Sequence, residues 1–155
     1  MKRVSADEQA VVFQLSAQEH DALLDILQTY PVVPPAHQSV SKELKDPRIT
    51  EYQHLLDEAL AEQRTANQKH LHAWVTTPER FKKNKTGFRF TLERTDSEWL
   101  LQVLNDIRVG HWLRLGSPES SEIKPQHLDA RQLHDWLKME MSGYFQMSFL
   151  EALEG

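Results

Sequence analysis

Apolar and polar residues follow two periods along this chain, and the switches between them predict six elements. Val11 to Leu15 (VVFQL) is short, β-branched and aromatic, which predicts a strand over 11–15. Ser16 follows, with Glu19 three residues on. This is a capping box: the serine hydroxyl takes the Glu19 amide and the glutamate reaches back. It opens a helix over 16–30, with Leu23, Leu24, Ile26, Leu27 and Tyr30 on one side. Pro31 stops that helix, and Pro31, Pro34 and Pro35 predict an extended loop. Asp46 as N-cap and Pro47 at the first helical position open a second helix, over 47–75. Its apolar stripe is Ile49, Tyr52, Leu55, Leu56, Ala59, Leu60, Leu71 and Trp74. A basic, turn-like connection, ERFKKNKTG, leads to a strand over 88–92. Thr95 and Glu98 form another capping box, before a helix over 96–115 that Gly116 ends. Ser117 to Pro125 is a polar linker. The last helix covers 128–153, with a bend expected at Ser142-Gly143.

The helix within Thr95 to Gly116 is apolar on nearly every side, the pattern of a segment buried at the centre of a domain. The expected fold is therefore mainly α. Four helices gather around that segment, with a small two-stranded antiparallel element made by pairing 11–15 with 88–92. Two lone strands would leave their backbone groups unsatisfied. Residues 13–27 and 90–104 also align, with Phe13/Phe90, Leu15/Leu92, Leu23/Leu100, Leu24/Leu101 and Leu27/Leu104 identical. A shared strand-then-helix grammar accounts for that match without duplication.

Length and composition narrow the class. The chain has 155 residues, one domain's worth, with 39% hydrophobic and 26% charged residues. A net charge of −5 lacks the basic footprint of a general nucleic-acid binder. The absence of cysteine excludes disulfides, thiolate metal sites and cysteine nucleophiles. MKRVSADEQA carries no apolar core of a signal peptide, and no run approaches the ~18 apolar residues of a membrane span. A cytoplasmic protein with no membrane association is the expectation.

Three stretches carry a family resemblance. They are Leu56-Asp57-Glu58 with Leu60, Arg64 and Asn67; the run Trp99 to Arg108 followed by Leu113-Arg114-Leu115-Gly116; and Tyr144 to Leu150. Over roughly residues 50 to 153 the chain resembles an actinobacterial family of uncharacterised proteins commonly encoded beside the adaptor of the Clp protease. The resemblance implies a fold, a bacterial cytoplasmic setting and a link to regulated proteolysis. Met147 departs from the pattern, where the family more often has an acid. The proline loop and the lysine-rich connection have no counterpart.

Polar residues inside apolar stripes mark where chemistry could sit. On a helical wheel Arg108 lies among Leu101, Leu104, Trp112 and Leu115, and Glu140 lies on the stripe of Leu133, Leu137, Met141 and Tyr144. Gln63, Asn67 and His70 fall on the stripe of Tyr52, Leu56 and Trp74. A buried arginine needs a carboxylate. The expected pair is Arg108 with Glu140, with Asn67 or Asn105 completing the hydrogen bonds; Glu19, Glu62 and Glu151 are fallback partners. Such a pair is either a structural device fixing helix register or an arginine fork that holds a carboxylate or phosphate ligand.

The other candidates are weaker. Glu51 and His54 have the Glu-x-x-His spacing of di-iron bundles, but a second such pair is missing and no metal site or cofactor is expected. No G-x-S-x-G or glycine-rich phosphate loop occurs, so no catalytic residues are assigned and an enzyme is not expected. Arg80, Lys82, Lys83, Lys85 and Arg89, interleaved with Phe81, Phe88 and Phe90, form the one basic patch. It is either a strand-stacking surface for single-stranded nucleic acid or a lysine-protected sheet edge with its aromatics turned inward. The leading expectation is a non-enzymatic interaction or regulatory module, linked by resemblance to the Clp system. Met139, Phe145, Phe149, Leu150 and Leu153 lie beyond the main stripe of the last helix and suggest a homodimer. The alternative is a small-ligand or nucleic-acid-binding regulator using Arg108 or the 80–89 connection.

Overall fold

Alternation in AVVFQL and GFRFTLE sends Val11, Phe13 and Leu15, and then Phe88, Phe90 and Leu92, to one side of two strands. In the computed structural model, which describes residues 1–34 and 47–155, those strands form the middle of a larger sheet. The elements are β1 (Lys2–Ala6), β2 (Ala10–Leu15), α1 (Ala17–Leu27), α2 (Pro47–Val75), β3 (Phe81–Asn84), β4 (Gly87–Glu93), α3 (Arg94–Arg114) and α4 (Ala130–Glu154). Two 3-10 turns, Ser120–Glu122 and Pro125–His127, link α3 to α4.

The expected mainly-α domain with a two-stranded element is corrected. The fold is α+β, with four antiparallel strands in the order β1-β2-β4-β3 and the helices packed on one face. β2 does pair with β4, Phe13 opposite Phe90, but each also gains a hairpin partner at the sheet edge. β1 (KRVSA) and β3 (FKKN) carry no strand pattern in the sequence because an edge strand half in water needs no apolar alternation. Their turns are local. The Asp7 carboxylate takes the amides of Gln9 and Ala10 at 2.7 and 2.8 Å, closing the first hairpin. Those two amides hold its pKa below the usual carboxylate range. In the second hairpin Gly87 has φ of 145° and passes so close to Leu15 that a Cβ would lie 2.1 Å from its carbonyl oxygen.

Helix boundaries follow their caps unevenly. Ser16 and Glu19 exchange the expected pair of hydrogen bonds, each 3.0 Å. Asp129 and Gln132 make a second capping box, so α4 begins at Ala130 rather than 128. The expected Thr95–Glu98 box does not form: β4 runs straight into α3, whose N-cap is Glu93. The Asp46 cap and the Pro35 part of the loop lie outside the described residues. α4 continues through Ser142 and Gly143, where the Ser142 hydroxyl donates back to the Lys138 carbonyl at 2.7 Å.

The core lies between the sheet and α1, α3 and α4. Phe13 meets Phe149 edge-on with ring centres 5.3 Å apart, and Phe90 stacks on Phe81 at 4.9 Å. α3 buries Leu100, Val103, Leu104, Ile107, Gly110 and His111 along one stripe, while Gln102, Asn105 and Arg108 face out. It is amphipathic, not enclosed. Leu101 and Trp112, which gave it an all-round apolar pattern, are only partly covered. α4 buries Phe145 and Phe149, two residues expected on the free surface, together with Asp135, Ser142 and Ala152. α2 buries only Leu71 and Trp74 near its end.

Candidate interaction surface

Arg108 sits on the outer flank of α3, not in the core. Its Nε donates to Gln146 Oε1 at 3.2 Å and its Nη2 to Asn105 Oδ1 at 2.9 Å. Gln146 Nε2 donates weakly to the same Asn105 oxygen at 3.4 Å. Two neutral amides, one from α4 and one from its own helix, thus hold the guanidinium in place. Glu140 lies on the exposed side of α4 and makes no ion pair with Arg108. The expected buried Arg108–Glu140 pair is therefore corrected. Both residues line one groove of about 580 Å³ between the end of α3, the 3-10 linker and α4. Trp112, Trp136, Met139 and Tyr144 form its apolar wall, and Gly143 opens the floor beside the Arg108 stem. Trp112 is fixed by its indole N–H, which donates to the Pro118 carbonyl at 2.9 Å.

The groove continues into an exposed apolar face. Leu137 (46%), Tyr144 (43%), Met147 (59%) and Leu150 (38%) keep much of their surface in water. Of the stripe expected to face inward, Leu133, Leu137, Met141 and Tyr144, the structure turns Leu137 and Tyr144 out, leaves Leu133 half-buried and packs Met141 against the core. A helix apolar on both sides has its direction decided by size: the two phenylalanines fill the sheet-facing side, and the smaller or more polar-tipped residues turn out. Tyr144 is anchored through its hydroxyl, which donates to Glu19 at 2.9 Å. Burial and the Glu19 charge push the Tyr144 hydroxyl pKa up. Burial alone would raise Glu19, but bonds from the Met1 amine, the Ser16 amide and Tyr144 outweigh it and hold the carboxylate below its usual range. Glu19 therefore serves Tyr144 rather than Arg108, and Glu62 and Glu151 stand exposed.

Asn67 is elsewhere. It donates to the Tyr30 hydroxyl at 3.1 Å and lines a separate cleft of about 290 Å³ between α2 and α3, of which Asn105 is the far wall. Asp106 closes that cleft by accepting the Val32 amide at 2.7 Å. Of the expected quartet the structure brings Arg108 and Asn105 into contact, sets Glu140 in the same groove and leaves Asn67 apart.

A buried polar pair does link α3 to α4, but it is His111 with Asp135, 2.8 Å apart and closed to solvent. Burial lowers the His111 pKa despite the hydrogen bond and charge of Asp135, which oppose it. Arg114 approaches the same carboxylate oxygen at 3.8 Å. The available signal was the spacing of His111, seven residues past the buried Leu104 and four past Ile107.

The basic connection divides in the same way. Arg80 is buried, 4.6 Å above the Trp74 ring, and donates to the Trp74 and Thr91 carbonyls at 3.3 Å each. Lys82 pairs with Glu79 at 2.6 Å. Lys83, Lys85 and Arg89 are exposed. The aromatics point inside: Phe90 is in the core, Phe81 stacks on it, and Phe88 stacks on His20 at 3.7 Å. The rings a nucleobase would need are thus engaged. Among the described residues no three histidine or acidic side chains are placed to hold a metal ion together; His54 stands against Glu58 at 3.1 Å. No helix among the described residues is long and apolar enough to cross a membrane.

Comparison with known proteins finds no matching family model, no matching curated protein and no matching solved structure. The resemblance over residues 50 to 153 rests on its motifs alone.

Proposed function

We propose that this chain is a non-enzymatic protein-interaction module of the bacterial cytoplasm, and that the solvent face of α4 with its aromatic groove is the surface it uses. One observation carries the reading. Four large apolar side chains stand exposed on a single helix next to a groove walled by two tryptophans. Lone exposed apolar residues are ordinary, whereas a contiguous patch rimmed by polar groups is the mark of an interface. The cytoplasmic setting and the link to Clp-dependent proteolysis belong to the proposal through the resemblance alone.

A small anionic ligand is the second reading, favoured by an Arg108 guanidinium that only neutral amides hold. The 80–89 connection is the weaker alternative, since its phenylalanines are packed inside.

Cross-linking in cells, read by mass spectrometry, tests the leading proposal. Cross-links to protein should map around residues 133–150 and disappear in a Leu137→Asp, Met147→Asp variant of normal thermal stability. Cross-links that cluster elsewhere and survive those substitutions would overturn it.

A further inference from the structure

The outward face of α4 has a feature that singles out one occupant. The groove beside it is bordered by one cation and one anion, Arg108 of α3 and Glu140 of α4, neither with an ion-pair partner among the described residues. Gly143 lies between them and the remaining apolar residues. A Cβ there would touch only the Arg108 Cδ, at 3.7 Å, so the backbone is open to close approach from outside. The exposed Leu137 and Leu150 stand about equally far before and after this glycine, with Tyr144 beside it.

A surface that a two-fold axis maps onto itself must carry complementary groups on either side of that axis. This face does. We propose that its occupant is a second copy of this chain, packed antiparallel across Gly143, with Arg108 of each copy paired to the partner's Glu140. The two arginines and two glutamates then form a net-neutral ring around the axis. A different protein would have to supply an acid and a base at matching positions, whereas a second copy brings both by construction. Arg108 is held ready by Asn105 and Gln146, so little side-chain freedom is lost on pairing. The inference rests on reading the α4 face as an interaction surface and names its partner.

Sedimentation and native mass spectrometry on the full chain test it. The wild type should have the mass of two chains. Arg108→Glu and Glu140→Arg, each at an exposed position, should each weaken self-association at least about tenfold while keeping the wild-type circular dichroism spectrum. Mixing the two variants is the decisive step. Each alone sets like charges against like, but a mixed dimer sets opposite charges together at both pairs, and only across the interface. A mixed dimer that outcompetes both homodimers is the expected result. A wild type that stays monomeric at high concentration, variants that self-associate normally, or a mixture with no preference for mixed pairs would each overturn the proposal. A monomeric wild type whose cross-links to another protein still vanish in Leu137→Asp, Met147→Asp would remove the dimer and leave the interaction-module reading standing.

Discussion

His111 Nδ1 meets Asp135 Oδ1 at 2.8 Å inside the α3–α4 interface, while Nε2 of the same ring has no hydrogen-bond partner among the described residues. A carboxylate only accepts, so the neutral ring carries its proton on Nδ1. The pair ties together α3 and α4, which pack closely on each other. It also lies one residue before each tryptophan of the groove, Trp112 and Trp136, and so fixes the register in which the two line it.

This pair predicts a loss of stability in acid. Burial lowers the His111 pKa in the folded chain, whereas in the unfolded chain it returns to about 6.5. Above that value the ring is neutral in both states. As pH falls through it, the unfolded chain binds a proton that the folded chain refuses, and stability declines until the folded pKa is reached. Urea unfolding at a series of pH values should show a shallower decline below about pH 6.5 for His111→Asn than for the wild type. Parallel curves would mean that His111 does not titrate in this way.

Removing the other partner should cost more at neutral pH. Asp135→Ala leaves the buried His111 Nδ1 without an acceptor beside a ring whose Nε2 is already unpaired. A loss of about 1–3 kcal/mol is expected by chemical denaturation at pH 7.5. A change of less than about 0.5 kcal/mol, the range of an ordinary surface substitution, would show that the pair is dispensable.

Gly110 is a packing requirement rather than a conformational one. A Cβ at this position would lie 2.4 Å from the Val32 side chain, which packs directly on α3. Gly110→Ala should destabilise by about 1–3 kcal/mol despite alanine's better helix propensity. Adding Val32→Gly, which removes both the Cβ and the Cγ1 that lie at 2.4 Å, should recover part of that loss, which a double-mutant cycle measures. Full additivity of the two changes would contradict the contact.

Arg80 and its lysine neighbours should separate cleanly. Arg80→Met removes buried hydrogen bonds to the Trp74 and Thr91 carbonyls and the contact above the indole, with an expected cost of about 1–3 kcal/mol. Lys83→Ala and Lys85→Ala, both exposed, should stay within about 0.5 kcal/mol. Equal effects from all three would mean that the connection acts as one basic surface.

Local chemistry was legible along the chain, and non-local geometry was not. The Ser16–Glu19 box, the Pro47 start of α2 and the apolar alternation of β2 and β4 depend on residues within a few positions of one another, so sequence alone determined them. β1 and β3 became strands only because β2 and β4 offered free backbone edges, and their polar residues carry no trace of that. With them the chain becomes a β-hairpin and two helices, followed by a second β-hairpin and two helices. The sheet order β1-β2-β4-β3 is symmetric about its centre, with Phe13 opposite Phe90. The strand-then-helix match of residues 13–27 with 90–104 was the visible part of that arrangement.

The direction of α4 was decided by the tertiary structure. Apolar residues line both sides of the helix, and periodicity cannot choose between two apolar stripes. The sheet chose Phe149, whose ring fills the space against Phe13 and Phe90, and Phe145 packs inward against Phe149. That choice turned Leu137, Tyr144 and Met147 outward, took Glu140 to the surface beside Arg108, and brought Asp135 onto His111 across 24 residues of chain. Capping and strand propensity act over a turn or two, whereas burial is settled only when two elements compete to cover the same apolar surface.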